Sequence, residues 1–382
     1  MSGKSGIIMK ESFSDIKETV FSDATQYFTS LLQDIAAAST SIDLETYIFD
    51  LDSVGLRVVD QLLAAGRRGV KVRLMLDGAG SSGWSNTATE QLKQADVQVR
   101  IFRPLPWNIR QWDWTLPQPS WLVQLQHLLA NMSRRNHRKI CLVDGRIAWV
   151  GSFNISKYHL PKAQGGEGWR DTAVRLEGFN LDELRQAFDS AWFDDSSRFH
   201  RRIFPLSHFR LNHIRRRILR RDLFNRISRC QSRLWITNAY FVPDAFFLRH
   251  LRKVARQGID IRILLPGVSD IFFMPWTSAV FYRSLLKSGV RIFEYTGSML
   301  HAKIMILDDW MTVGSSNLDY RSFFQNLEVD IVLSLPSSKN AIQEQFIDDM
   351  NHSQEIFITD LPLRPCWEQL IGRLLLYMKR WL

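Results

Sequence analysis

One figure occurs twice, and it constrains the chain more than anything else in it. His301-Ala-Lys303-Ile-Met-Ile-Leu-Asp308 is followed after a short turn by Gly314-Ser315-Ser316-Asn317; upstream stands His137-Arg-Lys139-Ile-Cys-Leu-Val-Asp144, followed by Gly151-Ser152-Phe153-Asn154. Spaced two apart in an extended segment, histidine and lysine project from one face, and the apolar run behind them reads as buried strand. A lone His-x-Lys reads as a half-buried histidine beside a surface lysine. Two copies, each trailed by Gly-Ser-x-Asn, read as a functional pair.

The surroundings repeat as well. Tyr27, Phe28, Leu31, Leu32 and Ile35 recur at helical spacing between Thr25 and Ala38, before a strand over Ile42–Phe49. A helix over Gly55–Gly66 and a strand over Val70–Leu76 follow. After the midpoint come a strand over Leu234–Phe241, a helix over Asp244–Arg256 and a strand between Gly258 and Gly267. Val97–Phe102 and Val290–Tyr295 then match, each ahead of its histidine motif. This order predicts an internal duplication: two tandem α/β/α halves packed face to face around one shared site, each a parallel sheet covered by helices. The expected division is 1–197 for the first half, 198–229 for a basic linker and 230–382 for the second half.

A chain of 382 residues is long enough for two cores, and its net charge of +10 favours an anionic partner. Cys141, Cys230 and Cys366 lie far apart without metal-ligand spacing, and read as reduced thiols. The apolar part of Met1–Lys10 is too short for a signal peptide, and no apolar run reaches the ~20 residues of a membrane span. The expectation is a peripheral protein without a spanning helix.

Three segments could meet an anionic surface. Between Arg103 and Asn136, Pro104, Pro106, Pro117 and Pro119 alternate with Trp107, Trp112, Trp114 and Trp121, which predicts an irregular loop whose rings either meet a membrane interface or pack on their own domain. Arg198–Arg229 carries arginines, among them Arg201, Arg202, Arg215, Arg216 and Arg217, in amphipathic spacing. It either lies on anionic lipid or nucleic acid, or docks on the protein with its charges in water. Trp367–Leu382, with Lys379, Arg380 and Trp381, repeats that character.

The paired His-x-Lys-x4-Asp motifs resemble the phospholipase D superfamily, in which two such motifs build one phosphodiesterase site. The resemblance implies that one imidazole attacks phosphorus to form a phosphohistidine while the other protonates the leaving alcohol and then deprotonates the incoming one. Lys139 and Lys303, with Asn154 and Asn317, would hold the phosphoryl oxygens. Each histidine needs a carboxylate on its far nitrogen. Asp171 for the first half, with Glu167 as rival, and Glu328 for the second are the candidates. Asp144 and Asp308 belong to the signature and are expected to anchor the motif turns. Family analogy favours His137 as nucleophile. The lysines supply the electrostatics, so no metal and no cofactor are expected.

Glu45-Thr-Tyr-Ile-Phe, Asn238-Ala-Tyr-Phe-Val-Pro, Leu300-His-Ala-Lys and Val313-Gly-Ser-Ser-Asn-Leu-Asp319 are most similar to bacterial cardiolipin synthases, in the form without N-terminal membrane spans. This implies a phosphatidyltransferase that forms cardiolipin from phosphatidylglycerol and a second phospholipid, releasing glycerol or ethanolamine. A hydrolase or nuclease of the same fold is the alternative, and a non-catalytic binding module a further one. Expected partners are anionic phospholipids and the cytoplasmic face of the cell membrane, without an obligate protein partner and with nucleic acid disfavoured.

Overall fold

The computed structural model describes residues 16–105, 134–194, 208–363 and 365–378. Met1–Lys10, the tryptophans Trp107, Trp112, Trp114 and Trp121, the arginines Arg201 and Arg202, and Lys379, Arg380 and Trp381 lie outside the described residues.

Among the described residues, β1 (Lys17–Phe21), β2 (Ser41–Thr46), β3 (Lys71–Asp77), β4 (Gln98–Phe102), β5 (Ile140–Val143), β6 (Ile147–Gly151) and β7 (Ala173–Glu177) form one sheet in the order β1-β7-β6-β5-β2-β3-β4. The second sheet comprises β8 (Phe209–Leu211), β9 (Arg233–Thr237), β10 (Asp260–Pro266), β11 (Arg291–Tyr295), β12 (Ile304–Leu307), β13 (Trp310–Gly314), β14 (Val329–Val332) and β15 (Ser353–Ile356). Read from β8, its order is the first sheet's with every number raised by seven, plus β15 on the far edge. The duplication seen in the motifs thus extends to the whole topology.

Each sheet is mixed rather than parallel. β2, β3 and β4 run parallel, as do β9, β10 and β11, because helices such as Ser53–Arg67 and Ala245–Ala255 carry the chain back across the sheet. The motif strands β5 and β12 turn sharply into β6 and β13, and so pair antiparallel. Those turns start at Asp144 and Asp308, with φ of 53° and 51°. Short hairpins leave no room for a crossover, which the β-α-β reading of the first strands did not foresee.

The helices start where side chains can cap them. Asp52 accepts from Val54 N and Gly55 N, and Asp244 accepts from Phe247 N at 2.8 Å. Inward, Val54, Val58, Val59, Leu62 and Ala65 make the buried stripe of Ser53–Arg67.

The halves meet through the inner faces of the sheets. Ile140, Leu142, Val150 and Val174 share one buried cluster with Leu300, Ile304, Val313 and Ile331. Burying an aliphatic side chain is worth roughly 1.5–3 kcal/mol, so this contact fixes the halves firmly against each other. The basic segment is built into the second half: β8 pairs with β14, and the helix Asn212–Ser228 follows it. Arg216 donates to Gln325 O and Asn326 O, Arg220 to Asp244, and Arg210 and Arg226 to Asp222. Among the described residues, these four arginines are engaged with protein, while Arg217, Arg221 and Arg229 stay exposed. Among the described residues, no helix is long and apolar enough to cross a membrane.

Candidate active site

Where the two sheets abut, short backbone ladders join the motifs. His137 N donates to Leu327 O (2.9 Å) and Leu327 N to Arg135 O (2.8 Å); His301 N donates to Arg170 O and Arg170 N to Met299 O, both at 2.8 Å. The residues after Leu327 and Arg170 are Glu328 and Asp171. Each ladder therefore brings an acid of one half against the histidine of the other.

His137 Nδ1 lies 3.1 Å from Glu328 Oε2, and His301 Nδ1 lies 2.7 Å from Asp171 Oδ2. This corrects the expected pairing, in which Asp171 or Glu167 would serve the first histidine and Glu328 the second. The assignment was crossed because spacing along the chain cannot show that the ladders run between halves. Glu167 instead accepts from the Trp169 indole at 3.1 Å. With Nδ1–H donating to the carboxylate, Nε2 of each ring keeps its lone pair for chemistry.

The serine of each Gly-Ser-x-Asn figure completes the acid's surroundings, a role that the sequence reading missed. Ser152 Oγ donates to Asp171, and Ser315 Oγ donates to Glu328 Oε2 at 2.6 Å. The preceding glycines are required by close approach: a Cβ on Gly151 would come within 2.5 Å of Thr172 O, and one on Gly314 within 2.3 Å of Val329 O.

Both lysines point back along their strands. Lys139 Nζ donates to His137 O at 2.8 Å and Lys303 Nζ to His301 O. Tyr47 and Tyr240, also unforeseen, present their rings 5.3 Å and 6.0 Å from these ammonium groups. Asn154 Oδ1 accepts from Ile48 N at 3.3 Å, whereas Asn317 Oδ1 is buried without a hydrogen-bond partner among the described residues. Asp144 and Asp308 stand at the other end of the motif strands. Asp144 accepts from the backbone of Ser39, Thr40 and Ser41, and Asp308 from that of Gln231, Ser232 and Arg233. Those bonds outweigh the effect of burial and hold both carboxylates below their usual range.

Burial dominates the electrostatics. It pushes His137 down to about 4 against the pull of Glu328, and His301 down to about 3 with help from the Lys303 charge. Lys139 is pushed down to about 7 by burial and by Lys303, and Lys303 to about 8 by burial. Burial would raise Glu328 and Asp171, but His137, Lys139 and Ser315 around the one and His301, His159 and Lys303 around the other together hold both low. Lys139, Lys303 and both imidazoles are thus buried together. A phosphodiester anion there would raise all four values together and favour the protonated acid that alcohol departure needs.

The halves are not copies in detail. Behind His137, Arg138 Nη2 and Asn136 Nδ2 both donate to Glu45 Oε2, at 3.0 Å and 2.9 Å. The matching positions in the second half are Ala302, Leu300 and Thr237.

A family model described as "Cardiolipin synthase, PLD-like domain" matches residues 31–192 and 223–350. Cardiolipin synthase B of Shigella flexneri is 33% identical, covering 92% of this chain and 84% of its own. Cardiolipin synthase 1 of Bacillus anthracis is 31% identical, covering 88% of this chain and 67% of its own. In three dimensions the chain is similar to phosphatidylserine synthase from Haemophilus influenzae, with a TM-score of 0.66 at 13% identity over 95% of this chain and 93% of that one. With its duplicated motifs and topology, the chain belongs to the cardiolipin synthase family of phospholipase D-like proteins.

Proposed function

We propose that this protein is a phosphatidyltransferase that joins phosphatidylglycerol to a second phospholipid, and that His137, Lys139, Asn154, Asp171, His301, Lys303, Asn317 and Glu328 carry the reaction. The observation that supports it best is the crossed pairing of His137 with Glu328 and of His301 with Asp171. His137 Nε2 attacks phosphorus, and the bond to the departing head-group oxygen breaks as that oxygen takes a proton from His301. The neutral His301 then removes the proton of an incoming lipid hydroxyl, whose oxygen displaces His137 from the phosphohistidine. Each carboxylate steadies the imidazolium formed in front of it, while Lys139 and Lys303 balance the phosphoryl oxygens. Asp144 and Asp308 hold the strands that carry these groups.

Transfer to lipid rather than water calls for a site close to a bilayer. The helix Cys366–Leu375 and the turn after it expose Trp367, Leu370, Leu374 and Tyr377, the last at 89%. Trp367 packs edge-on against Trp276 at 4.9 Å, and Phe272 beside it is exposed. From the same loop Asp270 accepts from Tyr240, whose ring stands 6.3 Å from that of His301. This apolar face beside the site is our candidate for peripheral attachment to anionic membrane, with the exposed Arg217 and Arg221 adding charge attraction.

The test is purified protein on phosphatidylglycerol vesicles, with and without phosphatidylethanolamine, with products identified by mass spectrometry. Cardiolipin with glycerol or ethanolamine is expected. Phosphatidic acid alone would mean a hydrolase, and cleavage of single-stranded DNA without lipid turnover a nuclease.

A further inference from the structure

The two halves fill the space under their first helices differently. In the first half, Tyr27 stacks on Phe153 at 4.3 Å and meets Trp149 at 5.4 Å, with Phe28 edge-on to Phe153 at 6.1 Å. All four rings are buried. The matched ladders place their equivalents. Ile42 lies opposite Val143 and Leu234 opposite Leu307; counting fifteen and fourteen residues back from each, Tyr27 and Phe28 correspond to Leu219 and Arg220. Trp149 opposite Cys141 corresponds to Thr312 opposite Met305, and Phe153 to Ser316 within the Gly-Ser-x-Asn figure. Four aromatic rings give way to a leucine, an arginine, a threonine and a serine.

The difference in volume is a cavity of about 100 Å³ between the helix Asn212–Ser228 and the outer face of the second sheet. Lys303 and Asn317 are among the residues that line it. Among the described residues, three buried atoms on its lining residues have no hydrogen-bond partner: the acceptor Asn317 Oδ1 and the donors Arg216 Nη1 and Arg220 Nε. Asn317 is 4% exposed, so leaving its oxygen bare carries a cost that a bound hydroxyl would remove. Asp330, which accepts from Ser316 Oγ at 2.7 Å, adds a carboxylate, while Leu219 and Met305 supply apolar wall.

We propose that this cavity is a subsite for a short polyol, glycerol being the simplest, seated beside Lys303 and Asn317. A hydroxyl can donate to Asn317 Oδ1 and accept from Arg216 Nη1, which neither an acyl chain nor a fully ionised phosphate can do. A cavity of this volume suits a molecule of a few heavy atoms rather than a lipid tail. Resting on the proposed transferase reading, this site holds the head-group glycerol that is exchanged on phosphorus. Among the described residues, the matching space of the first half is filled with aromatic rings.

Glycerol is the probe. Saturation-transfer NMR titration of glycerol into glycerol-free protein is expected to show binding to the wild type. Leu219→Tyr, which restores the ring present at Tyr27, should weaken it at least ten-fold. Thr312→Leu fills the same space from the sheet side, and decides the matter if Leu219→Tyr loses its cooperative melting transition. Absence of glycerol binding to the wild type, or equal binding to both filled variants, would overturn the subsite. Product analysis on vesicles keeps the two readings apart. Glycerol bound by the wild type and lost in the filled variants, without cardiolipin from any of them, leaves the subsite standing and removes the transferase. Cardiolipin from all three, with glycerol inhibiting all equally, removes the subsite and leaves the transferase.

Discussion

His159 and Ser322 occupy the same place on opposite sides of the active site. Each lies five residues after its motif asparagine and accepts from that asparagine's backbone N–H, Asn154 N to His159 Nε2 and Asn317 N to Ser322 Oγ, both at 3.2 Å. Each also faces the acid: Ser322 Oγ donates to Glu328 Oε1 at 2.8 Å, and His159 Nδ1 lies 3.3 Å from Asp171 Oδ2. The shorter acid thus has the longer neighbour. A small serine completes the site where glutamate reaches out, and an imidazole fills the space that aspartate leaves.

This complementarity makes the pair exchangeable only together. His159→Ser alone should lower kcat by about ten-fold, on the order of 1.4 kcal/mol, because the Asp171 carboxylate loses its backing and His301 its alignment. Adding Asp171→Glu, which recreates the second half's arrangement, should restore most of the loss. Initial rates on mixed vesicles for the two single variants and the double give the coupling directly. Additive losses would show that His159 acts by bulk alone.

What was legible in the sequence, and what was not, follows from which interactions are local. The His-x-Lys strands and the duplicated order of elements are properties of short segments, whereas the backbone groups that Asp144 and Asp308 accept from, at Thr40 and Ser232, lie about a hundred and about seventy-five residues away. Crossed pairing is not a local property either. Nothing in the spacing from His137 to Asp171 shows that the backbone of Leu327 pairs with that of His137 and so brings Glu328 to its ring. Tyr47 and Tyr240 were visible as tyrosines after matching strands, but their place beside the lysines depends on how the strand ends curl. His159 and Ser322 share only their distance from an asparagine, since the side chains differ.

Removing either histidine should abolish turnover, and removing both should cost little more, because the two work on one phosphorus. His137→Ala, His301→Ala and the double variant are compared by cardiolipin formed per unit time. A single variant with near-normal activity would contradict a shared site. In His301→Ala a substrate whose leaving group needs no proton, such as a phosphatidyl p-nitrophenyl ester, should leave the phosphatidyl group on His137, visible as a mass increase of the peptide that carries it.

Asp308→Ala should separate stability from chemistry. Its carboxylate serves the backbone N–H groups of Gln231, Ser232 and Arg233 at the strand end remote from the histidines. The variant is expected to lose roughly 1.5–3 kcal/mol in urea unfolding while the folded fraction keeps substantial kcat. The sign with pH follows from its depressed value: the contribution is complete above the unfolded carboxylate range and fades as acid protonates the group. Loss of kcat without loss of stability would place Asp308 in the chemistry.

The lysines make the opposite prediction. In an unfolded chain a lysine titrates near 10.4, whereas Lys139 is pushed down to about 7 and Lys303 to about 8. A cation held below its unfolded value weakens the fold wherever the unfolded chain binds the extra proton. Stability attributable to these groups should therefore rise as pH climbs from about 7 toward 10. Activity should move the other way, since a neutral amine no longer attracts the phosphodiester, so kcat/KM should fall across that same interval. Lys139→Arg keeps its charge and should remove the lower of the two alkaline steps, while Lys139→Met should raise the melting temperature at pH 7 and abolish turnover. An unchanged alkaline limb in Lys139→Arg would mean that some other group, and not the buried ammonium, controls phosphate binding.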